Sequence, residues 1–214
     1  MLTVLFPLAR DGARGDRALA DGVEDAHPER AGLLEPTAEP DVLADGTLPR
    51  LSGTGPWVIS RALGITAFVS LTCEVVFGLL SSTPTADRLM GRPRAIDLHA
   101  WLSRVTLALV VAHALVLLLD AYAGFDLLDL IVPGVADTRT QALALGIVAS
   151  YGALAIHVSS VLRKHLGASA WRRLHYGSFG VFVGAAVHGL AAGSDSGTTP
   201  MRVVYVVSLG LVAA

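Results

Sequence analysis

Two pairs of widely spaced histidines are the residues of this chain best suited to carry chemistry. His99 and His113 are fourteen residues apart, and His175 and His188 are thirteen apart, each pair inside an apolar stretch of helix length. An ionisable side chain is costly inside a membrane, so its presence there points to a functional site. Two such pairs on two helices would suit axial ligation of two stacked hemes, because histidine is a common axial ligand of heme iron.

The composition indicates a multi-pass membrane protein. Of the 214 residues, 53% are hydrophobic and only 16% are charged, which is not the balance of an average soluble domain. The single cysteine, Cys73, excludes a disulfide framework, an iron–sulfur cluster and a zinc site made of several thiolates. We therefore expect the lipid bilayer as a partner, and no nucleic acid.

The charges divide the chain into two parts. Residues 1–50 carry ten acidic and five basic side chains, whereas residues 51–214 carry the other eight acidic and eleven basic ones. The first part is rich in Asp, Glu, Gly, Pro and Ala and has too few apolar residues to form a core, which predicts a disordered acidic tail. The second part is the predicted membrane domain.

The membrane domain is predicted to be an all-α bundle of about five transmembrane helices. Four apolar segments of about 19 to 24 residues lie at 57–80, 96–119, 140–162 and 174–192, and about 20 residues are needed to cross the hydrocarbon core. A fifth apolar run, 203–214, has twelve residues, too few to span unaided.

Loop charges predict the orientation of these helices. Loops 81–95 and 163–173 are basic, whereas loop 120–139 has four aspartates against one arginine. Lys and Arg favour the cytoplasmic side, so the two basic loops are expected in the cytoplasm, the N-terminus outside and the C-terminus inside. The second and fourth helices then run parallel, and heme is expected to bind between them.

Parallel helices would align the histidines in two layers. His99 would meet His175 near the cytoplasm, and His113 would meet His188 about 20 Å further along, at 1.5 Å per residue. Fourteen residues return to within about 40° of the same helix face, but thirteen leave a mismatch of about 140°. The glycines of the fourth helix (Gly177, Gly180 and Gly184) would have to absorb it by close approach or by a local change of winding.

Four motifs carry a resemblance to a known family over roughly residues 55–200. They are SRALG in the first helix, DLHAWLS with a second histidine fourteen residues on, DAYAGFDLLDLIVP after that helix, and WRRLHYGSFGVFVGAAVHG. The chain resembles the ferric reductase-like transmembrane domain, which ferric reductases, NADPH oxidases and a bacterial methionine-sulfoxide reductase heme subunit share. The resemblance implies two b-type hemes ligated by His99, His113, His175 and His188, and electron transfer from a cytoplasmic flavin to an acceptor outside.

The chain also departs from this family. Members often have six helices, with one before the arginine-bearing helix, and fused members continue into flavin- and nicotinamide-binding domains. No GxGxxG occurs here, and we expect no flavin site in the chain. The expectation is therefore an oxidoreductase component of the plasma membrane that receives electrons from a separate flavoprotein or from quinol. Its acceptor would be ferric iron, oxygen or an extracytoplasmic redox protein.

Two arginines and one further histidine are secondary candidates. Arg104 is expected to be buried and to pair with a heme propionate; pairing with Asp97 or extension to the interface is the alternative. The family places an arginine such as Arg61 near the outer heme, and an interfacial anchor is the alternative. His157 is expected to be a hydrogen-bonded core residue, with service as a spare ligand as the alternative.

Two other functions stay open on the sequence alone. One is a heme-bearing membrane subunit of a quinol-linked or methionine-sulfoxide reductase-type complex, which would want polar residues beside one heme. The other is a non-heme membrane bundle whose histidines line a cavity.

Overall fold

The computed structural model describes residues 50–214, and the predicted acidic tail lies outside them except for its last residue. The described part of the chain folds into eight helices and contains no strand. They are α1 (Gly55–Ser81), α2 (Pro84–Leu89), α3 (Arg92–Leu119), α4 (Leu127–Ile131), α5 (Thr140–Val161), α6 (Arg163–Leu166), α7 (Ala168–Ala192) and α8 (Thr199–Ala213). The predicted all-helical membrane architecture is confirmed.

Three of these helices, α1, α3 and α5, are long and apolar enough to cross a membrane. Helix α7 has 25 residues but is less apolar, because histidines and glycines interrupt its hydrophobic sequence. Helix α8 has 15 residues, fewer than the roughly 20 that a perpendicular span needs. Along α3 most apolar side chains are half-buried on the isolated chain and several are exposed, Val111 and Leu115 among them, as expected for a helix whose outer face contacts lipid.

Proline marks where four helices begin. It occupies the first or second helical position of α1, α2, α3 and α8. Proline suits this place because its fixed φ is helical and its missing N–H would have had no partner within the helix. Among the long helices, proline therefore marks the start of α1 and α3.

The long helices pack as two pairs, α1 with α3 and α5 with α7, while α3 and α7 are not among the closely packed pairs. Apolar residues of α1, α7 and α8 form the main core. Within it the ring of Phe68 stacks on that of Phe182 at 5.7 Å between centroids and lies 5.2 Å from that of Tyr205. This core joins the two pairs and leaves the space between α3 and α7 open.

Truncation of Phe182 should weaken this core. Its side chain is 2% exposed, and removal of a buried phenyl ring costs about 3–5 kcal/mol in protein cores. We expect Phe182→Ala to cause a clear decrease in the midpoint of thermal unfolding in detergent. Val183→Ala, at a position 54% exposed on the same helix, is the matched control and should leave the midpoint unchanged. Equal midpoints for the two variants would contradict the assigned core.

Candidate functional site

Three of the four paired histidines are anchored in the same way. In each, the ring Nδ1 lies within hydrogen-bonding distance of a backbone carbonyl oxygen on the neighbouring helix. The pairs are His99 with Glu74 at 2.8 Å, His113 with Ser60 at 2.7 Å and His188 with Ala142 at 2.7 Å. A carbonyl can only accept, so Nδ1 carries the proton and Nε2 keeps its lone pair. Histidines that ligate metals commonly donate their other N–H in this manner.

A glycine lies beneath each of these imidazole rings, four residues after the accepting carbonyl. A Cβ on these glycines would approach the ring above to 3.2 Å at Gly64, 3.1 Å at Gly78 and 2.6 Å at Gly146. In an α-helix the glycine N–H already bonds to that carbonyl, whose second lone pair accepts the imidazole. The accepting carbonyl and the glycine that follows it by four residues are together called a carbonyl–glycine seat.

His175 has no such seat. Its Nδ1 is buried and has no hydrogen-bond partner among the described residues. Instead the ring stacks on Trp171, one turn earlier on α7, with 4.9 Å between ring centroids and 27° between the planes.

The histidines line two cavities, and their grouping is that of the predicted pairs. His99 and His175 line a cavity of about 320 Å³, here called the inner cavity. His113 and His188 line a second cavity of about 700 Å³, here called the outer cavity. Both volumes lie within the range of about 300–1,000 Å³ that is usual for cofactor and ligand sites.

The inner pair has a separation suited to two ligands of one ion. The ring centroids of His99 and His175 are 5.9 Å apart, with 78° between the planes. Two imidazoles on opposite sides of a metal ion have centroids roughly 6 Å apart, because each ligating nitrogen lies about 2.0–2.1 Å from the metal. In residues 50–214 no three His, Cys, Asp or Glu side chains converge on one point.

A single layer of side chains borders both cavities, with one residue from each long helix. Its members are Leu71, Thr106, Ala153 and Val181. Thr106 is buried, and its hydroxyl is 2.9 Å from that of Ser70. Three of the four side chains in this layer are therefore apolar, and the hydroxyl of the fourth, Thr106, has a hydrogen-bond partner.

Arg61 lies at the outer cavity, as do Trp57 and Asp195. Its guanidinium lies over the Trp57 ring, 4.1 Å from the centroid, and forms an ion pair with Asp195 in the loop between α7 and α8. No sequence pattern connects Asp195 with an arginine more than 130 residues earlier in the chain.

Arg104 is exposed and lines neither cavity, so its expected burial is wrong. Five residues after His99 it has turned about 140° around α3, away from the ligand face. Glu74 lines the inner cavity and faces the hydroxyls of Ser103 and Thr106. No ion pair joins it to Arg104 among the described residues.

His157 lines neither cavity. Its Nδ1 is 3.0 Å from the Ser103 hydroxyl, as predicted for a hydrogen-bonded core residue. Of the two ways in which the glycines of α7 were expected to absorb the mismatch, the change of winding is not found, because Ala168–Ala192 is one continuous α-helix. Gly184 shows the other, a close approach to the neighbouring helix: a Cβ there would lie 3.5 Å from that of Ala149 on α5.

These features define an integral membrane protein in which paired helices present histidines to two internal cavities. The chain belongs to the family of ferric reductase like transmembrane components, whose model matches residues 63–186, more than half of the sequence. Arg61 and His188 each lie two residues outside this match. No curated protein and no solved structure matches the chain.

Domains of this family generally bind heme, and the described residues fit that cofactor. Three imidazoles have a free Nε2, and three glycines leave room for their rings. Each histidine pair lines a cavity of its own. Each long helix contributes either histidines or seats: α3 and α7 carry the histidines, and α1 and α5 carry the seats.

Filling a seat should displace its histidine. We expect Gly146→Ala to lower the heme content of the purified protein, because the new Cβ would lie 2.6 Å from Nδ1 of His188. Gly64→Ala and Gly78→Ala should have smaller effects, since their contacts are longer. Gly180→Ala is the control, with no neighbouring atom within 4 Å of the added Cβ. The measurement is the heme-to-chain ratio from the pyridine adduct; an unchanged ratio in Gly146→Ala would argue against the seat.

Proposed function

We propose that this protein is a membrane b-type cytochrome with two bis-histidine hemes. It moves electrons across the bilayer from a separate donor to an extracytoplasmic acceptor. The inner heme would be ligated by His99 and His175 and the outer heme by His113 and His188. The observation that carries the proposal is the seat arrangement, in which Nδ1 of three histidines bonds to backbone and Nε2 is left free for a metal.

The role of the protein is to hold and tune the cofactors, which supply the one-electron redox chemistry when bound. Each seat fixes the tautomer and plane of its imidazole and increases its basicity as a ligand. The apolar helices around the cavities exclude water and keep the dielectric low. Two ligands fourteen residues apart on α3 lie about 20 Å apart along the helix axis, so the two sites together cover most of the hydrocarbon thickness of about 30 Å.

The outer end of the path is proposed to lie at Arg61. This residue borders the outer cavity and its charge is offset by Asp195, so a cation is kept beside the outer heme without being left bare. Ferric iron, oxygen or a redox protein would be reduced on this side. Contact of Arg104 with a heme propionate stays a prediction that the placement of its side chain does not support.

Deletion of single ligands tests the proposal. Wild-type protein should show two low-spin b hemes per chain in reduced-minus-oxidised spectra, with the stoichiometry taken from the pyridine adduct. His99→Ala should lose the inner heme and His188→Ala the outer one, because each removes one axial ligand. His165→Ala, in the exposed short helix α6, is the control and should keep both. Two low-spin hemes in both ligand variants would refute the pairing.

The proposed orientation follows the loop charges. The connections that contain α2 and α6 carry most of the basic residues between the long helices, and the loop with α4 is acidic. The basic connections are therefore proposed to lie in the cytoplasm of a plasma-membrane protein, with the N-terminus outside and the C-terminus inside.

A reporter inserted in the 81–95 loop tests this orientation. It should behave as cytoplasmic, and a reporter in the 120–139 loop as extracytoplasmic, because Lys and Arg are retained on the cytoplasmic side. A paired alkaline phosphatase and fluorescent protein fusion at each loop makes the measurement. The opposite result would reverse the proposed direction of electron flow.

A second candidate is the heme-bearing subunit of a quinol-linked or methionine-sulfoxide reductase-type complex. It is favoured by the polar side chains of Glu74, Ser103 and Thr106 at the inner cavity, since a quinol site needs polar partners beside one heme. Reduction of the hemes by quinol, with no flavoprotein present, would identify it. A protein without heme after expression with adequate heme supply would instead favour the non-heme bundle.

A further inference from the structure

The helix that seats His188 has a second position where a seat would be expected. On α1 the two seats are fourteen residues apart, at Ser60 and Glu74. Fourteen residues after the Ala142 carbonyl and Gly146, α5 has Ile156 and Ser160. Ile156 lines the inner cavity together with His175, so this position lies at the level of the unseated histidine.

Ser160 closes this position to an imidazole. Its hydroxyl donates to the Ile156 carbonyl at 2.9 Å, and that of Ser159 donates to the same oxygen at 2.7 Å. Ser160 also has the Cβ that the three seat glycines lack. Both parts of the seat are therefore missing, and Nδ1 of His175 has no partner in the described chain.

Trp171 occupies the place beside His175 instead. Its indole ring stacks on the imidazole at 4.9 Å, and its Nε1–H donates to the Ser160 hydroxyl at 3.3 Å. The same serine that removes the seat thus holds the tryptophan.

We propose that Trp171, held by Ser160, is the positioning residue of His175 and takes the place of the carbonyl–glycine seat that orients the other three histidines. This inference rests on the proposed heme function. Stacking fixes the plane of the ring but offers no acceptor to Nδ1–H, so the basicity of His175 as a ligand is not increased as it is in the other three. The inner heme is then the more easily lost of the two.

Variants of Trp171 in the full-length protein test the inference. Trp171→Leu removes the stacking ring, and we expect heme to fall from two to about one per chain. The remaining heme should have the midpoint potential of the outer heme, as defined by His99→Ala. Trp171→Phe keeps a stacking ring and should retain both hemes with a changed inner spectrum or potential. Trp101→Leu is the matched control, since Trp101 is 53% exposed on α3 and lines neither cavity, and it should match wild type.

Each outcome decides the matter. Two hemes with unchanged potentials and electron paramagnetic resonance spectra in Trp171→Leu would overturn the inference and leave the proposed function standing. An equal loss in Trp101→Leu would overturn it as well, because the effect would then be general. If Trp171→Leu does not fold, Ser160→Ala is the deciding variant. It removes only the hydroxyl and should change the spectrum or midpoint potential of the inner heme alone. An unchanged spectrum and potential would refute the role of Trp171. If the reduced-minus-oxidised spectrum of the wild-type protein does not show two hemes, the proposed function itself is refuted.

Discussion

The hydrogen bond from an imidazole Nδ1–H to a carbonyl on the neighbouring helix is the contact on which the arrangement of the candidate site depends. Such a bond contributes only about 0.6 kcal/mol on average between membrane helices, so it cannot hold a helix pair together by itself. Close packing of the paired helices does that. The bond instead selects one tautomer and one ring plane from those that packing would allow, and the glycine beneath the ring makes the approach possible.

Helix α1 contains no paired histidine and yet has two of the three seats, one for each cavity. Its two seats repeat the fourteen-residue spacing of the histidines on α3, so the two helices match over the full depth of the bundle. Helix α5 provides a seat for only one of the two paired histidines of α7, the one at the outer cavity. The inner and outer cavities thus share the α1–α3 frame and differ on the α5–α7 side, where His188 is seated and His175 is stacked on an indole.

The helices, their membrane character and the grouping of the histidines follow from periodicity, segment length and loop charge, which are local properties of the chain. The seats do not, because they depend on the register between helices, and register is fixed by packing. One signal was present: Gly64 and Gly78 on α1 are fourteen residues apart, as are His99 and His113. The Arg61–Asp195 pair could not be predicted, since it joins α1 to a distant loop. The exposure of Arg104 does not follow from its place along α3, because burial also depends on the angle of a residue around the helix axis.

Ser60, Glu74 and Ala142 provide the same acceptor although they are a hydroxyl, an acid and a methyl residue. The acceptor belongs to the main chain, so their side chains take no part in seating a ring. The side chains at these three positions can consequently differ without changing how the imidazole rings are oriented. At position 74 this independence matters most, because its side chain borders the inner cavity. The field around the inner pair can be altered there by a carboxylate, an amide or an apolar group while the imidazole above remains in place.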